Sequence, residues 1–353
     1  MEPIRFAIAG NGYRALRYLR AARELPEWFT VTAMLCRTEE RAREIEAAHG
    51  IKAVASLDAL METRPEFVLS CVSFAGMLET NIRLLEAGIP TLSETPFSAD
   101  VDGLRQLYDV QQRTGTKLQL AEQYFLFPTH QARRHLIDAG LLGEVTSCSL
   151  FSLHNYHAVS IFRHYMGEDD GEIRISAMKT VTPVVSAGDR SGLLAQGKTV
   201  NESRIIAQFV YADGRVGSYD FASTQYRNAI RTMHMRVWGT RGEWFDEEAR
   251  YLMPDGRPAL DRLHVQCDRI TGTIRAVDFD GQRVYESPFR SDVSLIEDDI
   301  AMCDVLRRMG EYVRGGAPFY SLRHAFRDGY LSCLLEKAAA EGTTVVSERM
   351  PWD

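Results

Sequence analysis

The stretch Gly10-Asn11-Gly12-Tyr13-Arg14-Ala15 constrains this chain more than any other. An apolar strand pattern (Ile4, Phe6, Ile8) runs straight into it, and a helical pattern follows at once. G-x-G-x-x-A between a strand and a helix is the spacing of a dinucleotide-binding turn. Gly10 makes the tight turn, Gly12 lets the backbone approach a pyrophosphate, and Ala15 leaves room for the helix to lie on the strand. Free backbone N–H groups and the positive end of the helix then hold the phosphates. The same glycines can serve a purely structural turn, but their placement favours a nucleotide site formed by Gly10, Asn11, Gly12, Tyr13 and Arg14.

Up to about residue 121 strand and helix patterns alternate. Strands are expected at 4–9, 29–35, 67–72, 91–93 and 117–121, with helices at 15–25, 39–49, 78–87 and 101–114. Gly50 and Gly88-Ile89-Pro90 read as helix stops. Near-continuous apolar strands between amphipathic helices imply a parallel sheet covered on both faces. After Gln123 the texture changes. The runs 205–221 and 233–246 read as long strands, with Asp213-Gly214 as a hairpin turn. Residues 182–202 read as a flexible loop region, and two helices close the chain at 293–314 and 321–341. The fold expected is an α/β Rossmann domain over 1–122. It is followed by an α+β domain over 123–353 with a large, mainly antiparallel open sheet, the last helix packing back toward the first domain.

Bulk numbers narrow the class. With 353 residues the chain has room for two cores. Hydrophobic residues make up 45% and charged residues 25%, as in an ordinary globular protein. Net charge is −7 with Arg and Lys scattered, so neither nucleic acid nor a membrane surface is an expected partner. No apolar run reaches transmembrane length and no signal peptide is legible. Cys36, Cys71, Cys148, Cys267, Cys303 and Cys333 lie far apart without C-x-x-C spacing. Reduced, structural thiols in a cytoplasmic protein are expected.

Several further segments carry a family likeness. They are LLEAGIPTLSETPFS around Glu94-Thr95-Pro96, AEQYFLFP ending at Pro128, HLIDAGLLGEV over 135–145, HAVSIFRHYMG over 157–167, and Trp238-Gly239-Thr240-Arg241-Gly242. With the glycine motif, their order resembles the Gfo/Idh/MocA oxidoreductases, which include glucose–fructose oxidoreductase and inositol 2-dehydrogenase. The resemblance covers nearly the whole chain. It implies a Rossmann domain and an open second sheet that often builds dimer or tetramer contacts. It also implies an NAD(P)-dependent oxidoreductase acting on a carbohydrate-like substrate. The chain departs from that pattern where chemistry is concerned. The family's usual Glu-Lys-Pro reads Glu94-Thr95-Pro96, and a threonine hydroxyl has no comparable acid–base range near neutral pH. Positions where the family often carries aspartate hold Leu153 and Ser160, and a threonine-proline-asparagine-type loop reads Ser73-Phe74-Ala75.

His157 becomes the expected proton acceptor, because it stands where the family histidine stands, at the start of a helix. Ala158, Ile161, Phe162, Tyr165 and Met166 mark that helix by their spacing; a capping or packing histidine is the plainer alternative. Tyr156, His154 and Thr95 are further catalytic candidates. Glu122, Tyr124 and Arg227 are assigned to the substrate, and Gln225 and Tyr226 are polar neighbours of the last. Ser73, Glu94, Thr95 and Gln123 join the nucleotide set. His154, His157 and His164 lack a completing carboxylate or cysteine, so no metal site is expected.

An NAD site normally has an acidic residue closing its second strand, to hold the ribose hydroxyls. Here that strand ends Cys36-Arg37-Thr38, without an acid. Arg37 can meet a 2′-phosphate, which favours NADP over NAD. The leading expectation is therefore a dehydrogenase for a secondary alcohol of a sugar, cyclitol or glycoside. A redox-neutral glycosidase or epimerase that retains its nucleotide, and a nucleotide-binding sensor without turnover, remain as alternatives.

Overall fold

The computed structural model describes residues 2–168, 171–189 and 192–353. Its first sheet is built from β1 (Ile4–Ala9), β2 (Phe29–Leu35), β3 (Ala53–Val54), β4 (Phe67–Ser70), β5 (Thr91–Ser93) and β6 (Leu118–Leu120). All pairings are parallel, in the order β3-β2-β1-β4-β5-β6. The helices between them are α1 (Tyr13–Glu24), α2 (Glu39–His49), α3 (Leu57–Met61), α4 (Phe74–Glu86) and α5 (Val101–Thr114). Strand order reverses between β1 and β4, so the carboxyl ends of these two strands open a crevice. Phe6 stacks on Phe67 across that pair at 5.4 Å, worth about 1 kcal/mol beyond the buried area. α1 shows how one helix serves two masters. Ala15, Tyr18, Leu19 and Ala22 are buried against the sheet, while Arg14, Arg17 and Arg20 recur every three residues along the opposite face.

The rest of the chain contributes α6 (Pro128–Asp138), β7 (Val145–Leu150), α7 (Asn155–Met166), β8 (Ile173–Asp189), β9 (Gly192–Tyr211) and β10 (Val216–Ala222). There follow β11 (Met235–Gly239), β12 (Gly242–Phe245), β13 (Glu248–Leu252), β14 (Pro258–Cys267), β15 (Ile274–Phe279) and β16 (Gln282–Glu286). α8 (Glu297–Val313), α9 (Leu322–Glu341) and β17 (Thr344–Val346) close the chain. The second sheet runs β16-β15-β14-β13-β12-β11-β7-β10-β9-β8-β17. Its pairings are antiparallel except for β7 with β10. One face is covered by α7: Phe162 packs on Phe209 at 5.4 Å, and a Cβ on Gly217 would lie 2.9 Å from the Phe162 ring.

The expected loop over 182–202 is instead a hairpin, in which Thr182 pairs with Glu202 and Val185 with Thr199; residues 190 and 191 lie outside the described residues. Most of its side chains are exposed. A ladder that extends past the core has no buried face, so it leaves no alternation of apolar and polar residues to read. α4 also begins at Phe74, earlier than the sequence pattern places it.

The last two long helices return to the first sheet. α8 crosses β1 so closely that a Cβ on Gly310 would meet Ile4 Cδ1 at 2.4 Å, and α9 lies on α5 with Gly329 against Leu104. Among the described residues no helix is long and apolar enough to cross a membrane.

Candidate active site

The loop from β1 to α1 shows why its glycines are needed. Gly10 has φ +123°, and a Cβ there would lie 2.3 Å from the Cys71 carbonyl oxygen. Only glycine fits, because backbone of the neighbouring strand fills the space a side chain needs. At Gly12 the situation is reversed: nothing lies within 4 Å of the Cβ position. Gly12 is the N-cap of α1, no side chain caps the helix, and its first turn carries no acid. Unpaired N–H groups facing open space at a helix start suit a phosphate. A cleft of about 790 Å³ lies over this loop, lined also by Cys36, Arg37, Cys71, Ser73 and Thr80. Among the described residues the cations on its wall are Arg14, Arg37 and Arg227, and no carboxylate lines it. These features fit a dinucleotide.

Arg14 has a second duty. Its Nε lies 3.4 Å from Glu94 Oε1 and its Nη1 donates to Asp298 Oδ2 at 2.9 Å. Arg17 pairs with Asp298 and Asp299, and Arg20 with Asp299. The arginine stripe of α1 therefore docks on the acidic first turn of α8, where carboxylates also suit the helix dipole. Burial works against the Asp298 carboxylate, but Arg14 and Arg17 outweigh it and hold the group below its ordinary range. Glu94 goes the other way: burial pushes its carboxyl up against the pull of Arg14. Gln123, assigned by sequence to the nucleotide, spends its Nε2 on Asp298 Oδ1 at 3.1 Å, while its Oε1 is buried without a partner. Glu94 directly follows β5, its Oε2 takes the Thr95 N–H at 3.3 Å, and the Thr95-Pro96 peptide is cis.

Beside this hub lies a buried histidine–carboxylate cluster. Glu122, just past β6, is fully buried, and its Oε2 sits 2.5 Å from His157 Nδ1. Its Oε1 accepts the Tyr124 N–H at 3.0 Å. Both oxygens of Glu122, which the sequence assigns to the substrate, thus have a protein partner, and one of them meets the histidine ring. A carboxylate at Nδ1 keeps the proton on that nitrogen and leaves Nε2 as an acceptor. Tyr124 stacks obliquely on the His157 ring at 4.6 Å, and burial pushes its hydroxyl up to about 12. His154 meets His157 edge-on at 4.8 Å. Its Nδ1 and its backbone N–H both reach the Tyr226 hydroxyl, at 2.8 and 3.0 Å. Loss of hydration, with His157, Arg14 and Arg227 nearby, pushes the His154 imidazole down, so it stays neutral at working pH.

Tyr156 does not join this cluster. Its hydroxyl meets Tyr320 at 2.7 Å in the core, and Tyr320 in turn bonds Asp328. Successive helix residues point about 100° apart, so His157 faces the site while Tyr156 faces α9. Arg227, assigned to the substrate, lines the nucleotide cleft. Gln225 spends its side chain on backbone groups of Phe151, Ala222 and Thr232. Thr38 caps α2 and Arg41 pairs with Glu44, so Arg37 is the exposed cation left at the end of β2. Among the described residues no group of three His, Cys, Asp or Glu is placed to hold a metal.

Sequence reasoning missed Asp298, Asp299 and the weight of Tyr226. The arginine stripe on α1 and the acidic run Glu297-Asp298-Asp299 were visible as separate signals, but nothing local pairs them. Tyr226 was named only as a polar neighbour of Arg227, and nothing local ties it to His154.

Residues 4–122 match the oxidoreductase family with an NAD-binding Rossmann fold, the Gfo/Idh/MocA group. A dTDP-3,4-didehydro-2,6-dideoxy-alpha-D-glucose 3-reductase of Streptomyces violaceoruber is 34% identical over 153 residues, covering 42% of this chain. The chain spans less than half the length of that relative, 44%. The solved structure of levoglucosan dehydrogenase with NADH and levoglucosan superposes with a TM-score of 0.71 at 15% identity, over 99% of this chain and 100% of that one. Myo-inositol 2-dehydrogenase from Lactobacillus plantarum gives 0.69 at 13% identity, over 98% and 100%. At such identities the likeness is one of fold, and it extends over both sheets.

Proposed function

We propose that this chain, whose residues 4–122 belong to the Gfo/Idh/MocA oxidoreductase family, oxidises or reduces a secondary alcohol of a sugar, cyclitol or glycoside with NADP(H) in preference to NAD(H). The observation that carries the reading is the buried Glu122–His157 pair beside a cleft built for a dinucleotide. A bound nicotinamide supplies the hydride chemistry. The chain's own task is to hold the reacting carbon near it and to move one proton. His157 Nε2 takes the hydroxyl proton in the oxidising direction and returns it in the reducing one, while Glu122 holds the ring. Thr95 stands where the family's lysine stands, so proton handling rests on the imidazole. Ordering Tyr124, His154 and Tyr226 around it gives the substrate hydroxyls their partners. Arg37, exposed at the end of β2 with no acid beside it on the cleft wall, supports the preference for a 2′-phosphate.

His154, hydrogen-bonded to Tyr226, sets a second polar pair beside the His157 ring, 4.8 Å from ring to ring. That favours, as a second reading, a redox-neutral enzyme that oxidises, eliminates or epimerises, and reduces again. Self-association through the second sheet belongs to the same proposal. Met178, Ile206, Val210 and Trp238 share its face away from α7 by register, and are 55%, 36%, 40% and 46% exposed.

The test is reduced-nicotinamide absorbance with NADP⁺, NAD⁺ and a panel of sugars, cyclitols and glycosides, with products followed in parallel. Build-up of reduced nucleotide establishes the first reading; product without build-up establishes the second. His157→Ala is expected to lower kcat by about 10²- to 10⁴-fold with nucleotide affinity unchanged. Unchanged turnover would remove His157 from the mechanism.

A further inference from the structure

The loop after β10 is pinned at several points, yet among the described residues its Arg227 guanidinium has no partner. Asn228 is buried and bonds Ala187 N–H and the Val185 carbonyl, both at 3.2 Å. Arg231 holds Glu202 with Nη2 at 2.6 Å, and Thr224 bonds the same carboxylate. Tyr226 is fixed by His154. The Arg227 carbonyl presses on β8, where a Cβ at Gly188 would lie 2.4 Å away. Arg227 itself is exposed, and among the described residues no hydrogen bond or ion pair holds its guanidinium. It faces a cleft whose other wall is the Gly10–Arg14 loop and the start of α4. A loop so firmly held, carrying one uncommitted arginine across a domain boundary, is the arrangement expected of an anion clamp.

We propose that Arg227 binds the pyrophosphate of the dinucleotide from the second domain, closing over a cofactor that the first domain cradles from below. This rests on the reading of the cleft as a nucleotide site. α1 and its glycine loop offer backbone N–H groups on one side only, and Arg14 is already committed to Glu94 and Asp298. The pyrophosphate needs a second donor, and Arg227 is the cation positioned to supply it. Because the group it reads is common to both nucleotides, the clamp does not discriminate between them; that task stays with Arg37. Retention of cofactor then depends on the second domain as well as the first.

The experiment measures NADPH and NADH dissociation constants and off-rates on the full chain, at low and high salt, for the wild type, Arg227→Ala and Arg227→Lys. Arg227→Ala is expected to weaken both nucleotides by about tenfold or more, through faster release, and to flatten the salt dependence. Arg227→Lys should recover part of the loss, because it keeps the charge without the planar fork. A thermal midpoint equal to that of the wild type shows that the fold is intact, since the side chain supports nothing else. Nucleotide constants within twofold of wild type would overturn the clamp. A loss confined to NADPH would assign Arg227 to the 2′-phosphate, and a loss confined to KM for an acidic substrate would assign it to that substrate; either overturns the proposal. A wild-type chain that binds neither nucleotide would overturn the reading of the cleft itself.

Discussion

Two neighbouring residues on α7 lead into two buried polar clusters with opposite purposes. From Tyr156 the network runs inward through Tyr320 and Asp328 to Arg163, whose Nη2 donates to Asp328 at 2.8 Å and whose guanidinium covers the Tyr320 ring at 4.9 Å. From His157 it runs through Glu122 to the Tyr124 N–H, and among the described residues one ring nitrogen is left uncommitted. The first cluster is saturated: each oxygen and each cation has a partner. The second is saturated on one side and open on the other. Satisfied buried networks give rigidity and a unique arrangement; a network with one open position is what chemistry requires. Burial and polarity alone do not tell the two apart, whereas the count of partners does.

The sharpest way to test that contrast is to break the saturated cluster. Asp328→Ala leaves Arg163 buried beside Tyr320 with no anion, and a buried charge stripped of its partner costs about 3–5 kcal/mol. Thermal or urea unfolding should show that loss, while turnover per folded molecule stays near wild type. A large fall in kcat with stability intact would show that the two clusters are not separate.

The open cluster should respond in the opposite way. Glu122→Gln keeps size and burial but offers Nδ1 an amide donor, which favours the tautomer with its proton on Nε2, where the acceptor must be bare. The expected result is roughly a 10²-fold fall in kcat, little change in KM for the nucleotide, and an unfolding midpoint close to wild type. Glu122→Asp, which keeps the charge at a longer reach, should recover part of the rate. Equal losses of stability and rate would make Glu122 a packing residue.

How far each cluster was legible follows from how local it is. The nucleotide edge is a single stretch, Gly10 to Arg14, and its geometry is set by one strand, one turn and one helix; periodicity and glycine placement suffice to find it. The parallel sheet was readable for the same reason. The pairing of Glu122 with His157 joins residues 35 apart in sequence, and that of Arg14 with Asp298 joins residues 284 apart. No spacing rule reaches across a domain boundary. His157 was legible only through its resemblance to a family position, and its neighbour Tyr156 was drawn in by adjacency, which a helix does not respect. The hairpin of β8 and β9 was missed for a different reason: without a buried face its ladder resembles loop in composition.

The mildest test uses acid. His130 and His164, on α6 and α7, lie away from the Glu122–His157 pair: His130 Nδ1 meets the Tyr165 hydroxyl at 2.5 Å, and His164 packs on Phe125. Burial pushes both imidazoles down, His130 well below its ordinary value and His164 to about 3, with Arg133 and Arg134 adding to the effect. The unfolded chain takes up these protons near pH 6.5, whereas the folded chain takes up that of His164 only near its lowered value. The stability from keeping them neutral is therefore complete above about pH 6.5 and is lost as pH falls below it toward the lowered value. Over that interval the unfolded chain holds the proton and the folded chain does not, so stability rises with pH. His164→Phe should flatten the decline of the unfolding midpoint between pH 6 and pH 4 (roughly the span between the two values) without moving the rate at neutral pH. An unchanged slope would mean that the acid sensitivity lies in the carboxylates, Asp298 first among them, because Arg14 and Arg17 hold that group low and its loss on protonation has the same sign.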